Sequence, residues 1–289
     1  MSYSSLAELV VAATEAKSSI ARVALRDQAE QIGLGQEQVY ARMRDNLLVM
    51  REAAIRGLTG ELHSPSGLSG GDGLKMERRA QHAPLSGVFC AKAIARALAI
   101  AEYNAAMGRI VAAPTAGSCG ILPAALLTMI EETGASEESA VMALFTAGAV
   151  GLVIANVACI SGAEGGCQAE CGSAAAMTAA ALVEMAEGAP QAAADAAAVA
   201  LKNQMGLVCD PVAGLVETPC IKRNAGGVMC AIAAADMALA GIKSVIPADE
   251  VIEAMRAVGA AMPQSLRETA RGGLAATPTG IALKQKIFG

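Results

Sequence analysis

Apolar residues recur along most of the chain at intervals of three and four, the spacing that lines one face of an α-helix. The clearest stripe runs from Gln36 to Arg56, where Val39, Met43, Leu47, Met50 and Ala54 share a face before a stop at Gly57. A first helix is predicted from about Ser5 to Ile32, ending at Gly33, with Ser5 and Glu8 spaced for a capping box. Further helices are predicted from Ser86 to Met107, Pro123 to Glu132, Glu137 to Asn156, Gln168 to Glu187 and Gln191 to Met205. Two more run from Ala225 to Ala240 and from Ala248 to Ala260. Between them lies a long polar, glycine-rich loop, Leu58 to Gly73, of a length that compact domains reserve for function or leave disordered. Three shorter connections, Ala113 to Gly120, Ser161 to Cys167 and Leu207 to Asn224, are rich in Gly, Pro or small polar residues, and each holds cysteine.

Composition strengthens the helical reading. Aromatic residues make up 2% of the 289 residues, tryptophan is absent, and Ala and Gly abound. Ala favours helix, and the β-branched and aromatic runs of sheets are scarce. The expected fold is all-α: a single Ala- and Gly-rich helical domain over residues 1–289 with long functional loops, including an N-terminal helical hairpin over residues 1–57. No internal repeat divides it. A formal net charge of −5 points to no nucleic-acid partner and to no anionic lipid.

Val141 to Ile160 carries no charged residue and is long enough to cross a bilayer. It consists largely of Ala, Gly, Thr and Asn, which drive insertion weakly, and no aromatic belt flanks it, so a buried core helix is expected. The stretch from Met1 to Glu8 lacks the basic start and apolar run of an export signal. A cytoplasmic setting is therefore expected, in which eight cysteines serve as inert core residues, reactive thiols or metal ligands.

The cysteines sort by context. Cys90, Cys159 and Cys230 sit in or beside apolar helical stretches and read as small buried hydrophobes. Cys119, in a loop feeding a helix N-terminus, is either an activated thiol or a small residue in a tight turn. Cys167, Cys209 and Cys220 each follow a helix-breaking signal: Gly165-Gly166, Gly206 and Pro219. Thiols carried on loops can converge from distant parts of a chain, although no CxxC or compact ferredoxin spacing is present. Cys171, one helical turn beyond Cys167, is placed to face the same way. Chemistry alone leaves a metal or cluster site and a purely structural role both open.

The strings around these cysteines carry a resemblance. Ser161-Gly-Ala-Glu-Gly-Gly-Cys-Gln-Ala-Glu170 and Cys209-Asp-Pro-Val-Ala-Gly-Leu-Val-Glu-Thr-Pro-Cys-Ile-Lys-Arg-Asn224 resemble signature segments of the iron–sulfur L-serine dehydratases. So do Gly108-Arg-Ile-Val-Ala-Ala-Pro-Thr-Ala-Gly-Ser-Cys-Gly-Ile-Leu-Pro123 and Arg267-Glu-Thr-Ala-Arg-Gly-Gly-Leu274, and the likeness spans nearly the whole chain. It implies an all-helical catalytic part, a [4Fe–4S] cluster, L-serine as substrate, and Cys167, Cys209 and Cys220 as the cluster cysteines. In other members the place of Cys171 is apolar, so the resemblance leaves it out. Single-chain members carry a further domain before the catalytic part. The sequence here resembles the α chain of the two-chain form, which implies a separate β chain and an oligomeric enzyme. Some single-chain members end in a cysteine that enters the site; here no cysteine follows Cys230, so no tail thiol matches it.

The implied chemistry suits such a site. Serine has a weakly acidic α-proton and a poor leaving group, and a Lewis-acidic iron left open by three thiolates holds the departing oxygen. Glycine-rich turns present N–H groups to a carboxylate. The expected substrate-binding residues are accordingly Ser69, Gly70, Gly71 and Asp72 in one turn, and Thr115, Ala116, Gly117 and Ser118 in the other. Ordinary flexible turns are the plainer reading of both. Asp72 is a candidate for the substrate ammonium, and Lys75, Ser69 and His63 are candidates for the catalytic base. Lys222 and Arg223 either offset the cluster's charge or form a solvated pair. His82 reads as a surface residue. Rival readings are a cluster-binding electron carrier or sensor without dehydratase activity, and a membrane or scaffold bundle. A pyridoxal-phosphate dehydratase is disfavoured, because the chain lacks alternating strands and helices.

Overall fold

A computed structural model describes residues 3–60 and 62–289. Met1 and Ser2, where the reading of the N-terminus begins, and Glu61 of the long loop lie outside the described residues. Thirteen α-helices follow one another among the described residues. They are α1 (Leu6–Glu15), α2 (Ile20–Ile32), α3 (Gln36–Gly57), α4 (Asp72–Ala80), α5 (Gly87–Ala105), α6 (Ile121–Thr133), α7 (Glu137–Val157), α8 (Gly162–Gly165), α9 (Ser173–Met185), α10 (Pro190–Gln204), α11 (Cys220–Leu239), α12 (Ala248–Ala261) and α13 (Pro278–Phe288). The described residues contain no sheet, and the one β-bridge is an isolated parallel pairing of Cys209 with Arg267. The all-α reading holds.

The centre is α9, in which every residue but Glu184 is buried, packed against α6, α7, α10 and α11. Its run Ser173-Ala-Ala-Ala-Met-Thr-Ala-Ala-Ala explains the composition: small side chains on all faces let surrounding backbones approach closely. Helix α5 works similarly. A methyl group at Gly57 of α3 would lie 2.1 Å from the Ala99 carbonyl oxygen. One at Gly73 of α4 would lie 2.8 Å from the Ala99 backbone. One at Gly120 would lie 2.4 Å from the Ala97 carbonyl oxygen. Three elements thus meet α5 through glycine.

Helix α7 contains the stretch considered above as a possible span. By length and composition it is apolar enough to cross a membrane, with mean hydropathy 2.1. It lies instead against α9, α2 and α3, its Thr146 hydroxyl donating to Glu184 of α9 at 3.0 Å.

Several boundaries differ from expectation for identifiable reasons. The first helix breaks in two: Lys17 takes a left-handed φ of 48°, and Ser19 caps a new helix by accepting from the Arg22 N–H. The N-terminal segment is therefore three helices rather than a hairpin. At Ser5 only half of the expected capping box forms. The Ser5 hydroxyl accepts from the Glu8 N–H, but the Glu8 carboxylate turns to the N–H and hydroxyl of Ser4. The glycine-rich loop gives way to α4 at Asp72, where sequence suggested loop through Gly73. Helix α11 begins at Cys220, five residues before the expected start at Ala225. Lys222 and Arg223 disfavour a helix N-terminus on dipole grounds, but each is paired with a carboxylate from elsewhere.

Candidate functional site

The three connections that carry cysteine converge. Cys167 precedes a π-helical turn, Gln168–Gly172, that leads into α9, and such turns recur at functional sites. Gln168, 1% exposed, pins this turn: its N–H and side chain bond to Leu207, Met255 and Gly206, each at 2.8–3.0 Å. Cys209 lies in an extended segment held by the chain near its C-terminal end. Its N–H donates to the Leu266 carbonyl at 2.8 Å, and its carbonyl accepts from the Glu268 N–H at 2.7 Å. Asp210 next to it accepts from Leu274 N–H, and Gly273 passes so close that a methyl there would sit 2.3 Å from the Asp210 carboxylate. The Arg267–Leu274 string therefore straps the Cys209 segment in place. Cys220 is the first residue of α11, so it stands on a helix N-terminus rather than in a loop.

Cys167, Cys171, Cys209 and Cys220 are all buried free thiols, and Cys167 and Cys220 lie within electrostatic reach of both Cys171 and Cys209. The Cys167 and Cys171 sulfurs touch at 3.4 Å. A hydrogen bond from Cys171, helped by the Arg223 guanidinium, holds Cys167 below the ordinary thiol range; the bond drives Cys171 well above it. Burial raises Cys209, and burial together with the Cys167 charge pushes Cys220 up to about 12. Binding a metal deprotonates such thiols, because the cation stabilises the thiolate that burial disfavours.

Two further side chains shape this pocket of sulfur. Arg223 donates to the Val208 carbonyl at 2.8 Å and the Asp210 carboxylate at 2.7 Å, and also bonds Cys167. Glu170 lies 4.0 Å from the Cys209 sulfur; burial raises its carboxyl above the ordinary range, and a bond from Thr115 opposes that rise. A methyl added at Gly162 would stand 2.6 Å from Glu170 and 2.9 Å from the Cys209 sulfur, so glycine leaves this cradle open.

Two kinds of metal site make different demands on this donor set. No three His, Cys, Asp or Glu side chains among the described residues converge as ligands of a single ion. A multi-iron cluster asks for something different: thiols that surround a volume, each meeting its own iron. Buried thiols from three segments, with a guanidinium to balance negative charge, fit that demand.

The turn at Thr115–Ser118 borders the thiols. Besides the Thr115–Glu170 bond, an ideal methyl at Gly117 would fall 3.5 Å from Glu170. Ala116 is exposed, and Ser118 is buried with its hydroxyl near that of Thr115 at 3.2 Å. The Ser69–Gly71 turn joins the same region indirectly, its Ser69 hydroxyl donating to Glu217 at 2.6 Å. Gly70, at φ 142°, leaves no room for a side chain against Leu62 and His63.

Other candidates fall further out. Asp72 is engaged by Lys75 at 2.8 Å and by Lys222 at 2.7 Å, which hold its carboxyl below the ordinary range. Lys75 is mostly solvent-exposed, and Asp72 raises its pKa, which keeps the amine protonated. His63 is exposed beside Gly70, and His82 is exposed after α4. Of the basic pair, Arg223 faces the thiols and Lys222 faces Asp72. Cys119 is fully buried and pushed up to about 12 by burial, which fits a turn residue rather than an activated thiol. Cys90, Cys159 and Cys230 are half-buried.

Sequence reasoning passed over Glu170, Glu217 and Asn224, although all three lie within the quoted strings. It also passed over Glu102, which stood out as a lone carboxylate in an Ala-rich helix.

Known proteins resemble this chain over most of its length. The family described as serine dehydratase alpha chain matches residues 15–275. A probable L-serine dehydratase, alpha chain, of Bacillus subtilis is 52% identical over 283 residues, spanning 98% of this chain and 94% of that protein. The L-serine dehydratase, alpha chain, of Peptoniphilus asaccharolyticus is 51% identical over 202 residues, 70% of this chain and 69% of that one. L-serine dehydratase 1 of Escherichia coli is 46% identical over 183 residues, which are 62% of this chain and 40% of that protein. An all-helical domain gathering buried thiols beside two glycine-rich turns defines a candidate metal-dependent catalytic subunit. The chain belongs to the serine dehydratase alpha chain family.

Proposed function

We propose that the chain is the catalytic α chain of an L-serine dehydratase, a lyase that converts L-serine to pyruvate and ammonia together with a separate β chain. The observation that carries this reading is the gathering of buried thiols from three segments beside two small-residue turns, in a chain of this family. Cys167, Cys209 and Cys220 would hold a [4Fe–4S] cluster. Bound there, the cluster supplies a Lewis-acidic iron for serine's hydroxyl and carboxylate.

The rest falls to the chain's own residues. The Thr115–Ser118 turn and the Ser69–Gly71 turn offer hydroxyls and backbone N–H groups to the substrate's polar ends. Removing the α-proton and losing the β-hydroxyl leave an enamine, which tautomerises and hydrolyses to pyruvate and ammonia. Of the three candidate bases Lys75 is the least suited, since its amine is paired with Asp72 and held protonated. Arg223 balances negative charge at the thiols, and the strap from Leu266 to Leu274 shields Cys209. Free, unpaired thiols suit a reducing, cytoplasmic setting.

The test is anaerobic reconstitution with iron and sulfide, followed by a pyruvate assay with and without the β chain. Both chains together are expected to release pyruvate, and the α chain alone very little. Full turnover by the α chain alone removes the β chain from the reading. Iron retained after Cys167→Ala, Cys209→Ala or Cys220→Ala removes that residue from the ligand set.

A further inference from the structure

The segment that carries Cys220 also carries two side chains that reach both candidate substrate turns. Glu217 is 6% exposed, and each of its carboxylate oxygens accepts from a different serine of the long loop: Ser66 at 2.7 Å and Ser69 at 2.6 Å. Ser64 continues the network, its hydroxyl meeting that of Ser66 at 3.1 Å and its N–H donating to the Ser69 carbonyl at 3.0 Å. Asn224, fully buried, does the same for the other turn. It accepts from the Gly120 N–H at 2.9 Å and donates to the Gly117 carbonyl at 2.8 Å. Its amide also donates to the Cys220 carbonyl at 2.9 Å, one helical turn back.

These bonds join segments far apart in sequence. Glu217 crosses 148 residues of sequence to Ser69, and Asn224 crosses 107 to Gly117. A loop of polar and glycine residues has little apolar surface with which to fix itself, and ordering it costs entropy. Bonds to a buried carboxylate are strong enough to offset that cost, and a buried amide with all its partners is rigid. Both anchors stand within four residues of Cys220.

We infer that Glu217 and Asn224 are positioning residues: each fastens one candidate substrate turn to the segment that bears Cys220, so that thiol and turns keep a common register. The inference rests on reading those turns as the place where serine binds. Neither residue need touch substrate. Each acts through the loop it holds.

The experiment pairs kinetics with local hydrogen exchange on the full α chain, reconstituted with iron and sulfide and assayed with the β chain. Glu217→Ala should speed amide exchange across residues 62–71 and leave residues 113–121 unchanged. Asn224→Ala should do the reverse. With serine, each variant should raise KM roughly tenfold, the size expected when one or two charge-assisted or buried bonds are lost, while retaining iron. Glu217→Gln, which can accept from one serine and donate to the other, should recover most of that loss. A merely structural role would lower the folded fraction and kcat together, without a local exchange signature or rescue. Unchanged exchange at 62–71 in Glu217→Ala would overturn the clamp. Faster exchange with an unchanged KM would overturn its role in serine binding, and iron lost from Glu217→Ala would reassign that residue to cluster support. A wild-type chain that turns over no serine refutes the proposed function separately, because exchange alone reads the clamp.

Discussion

Replacing Glu102 tests how the polar loop is terminated and α4 begun. Gly71, the residue before α4, has φ 83° and offers no side-chain cap. The first N–H groups of that helix would otherwise lack partners. The Glu102 side chain of α5, 1% exposed, accepts from the Asp72 N–H at 2.8 Å and from the Gly73 N–H at 3.0 Å. A carboxylate on two backbone donors at a helix N-terminus combines charge-assisted bonds with the favourable end of the helix dipole. Such bonds contribute about 1.5–3 kcal/mol each. Glu102→Gln keeps one acceptor and turns an N–H towards an N–H, so it should destabilise by about 1.5–3 kcal/mol. Glu102→Ala strands both donors and opens a cavity against the tightly packed α4–α5 contact. It should cost about 3–5 kcal/mol, a fall in Tm of roughly 6–20 °C for a chain of this size. Scanning calorimetry of the wild type and both variants gives the ranking directly. A Glu102→Ala Tm within about 2 °C of the wild type would refute the capping role.

Other outcomes follow from close contacts on the same helices. Gly73→Ala would place a methyl 2.8 Å from the Ala99 backbone and force α4 off α5, costing about 1–3 kcal/mol in urea denaturation. Gly226→Ala meets nothing within 4 Å on α11 and should instead stabilise by about 0.5–1 kcal/mol in the same assay. Cys230→Ala, whose thiol donates to the Ala200 carbonyl, should cost ~1 kcal/mol and leave bound iron unchanged by colorimetric assay. With iron chelated and hydrogen peroxide added, the touching sulfurs of Cys167 and Cys171 should join as a disulfide. Two thiols and one peroxide give one disulfide and two waters. A non-reduced peptide spanning both residues that is not lighter by two hydrogens would count against their contact.

The helical architecture was legible from one-dimensional pattern. Periodic apolar positions, glycine stops and the scarcity of β-formers mark most of the helices, because helix hydrogen bonds are local and depend on nearby residues. The start of α11 and the existence of α4 were not legible. Both depend on partners remote in sequence: Asp72 and Asp210 for the basic first turn of α11, and Glu102 for α4. The thiols were identifiable as special from their strings, since a glycine or proline before each cysteine is itself a local signal. What joins them was not. Glu217 and Asn224 look in sequence like ordinary polar residues, and only tertiary structure places one against Ser66 and Ser69 and the other against Gly117 and Gly120. Cys171 was legible in part: its spacing of four placed it on the same face as Cys167, but no residue pattern announced the π-helical turn that carries it. Local propensity determined which segments coil, whereas the site depended on long-range polar bonds between buried groups. Those bonds acquire their strength only after packing has removed water from both partners.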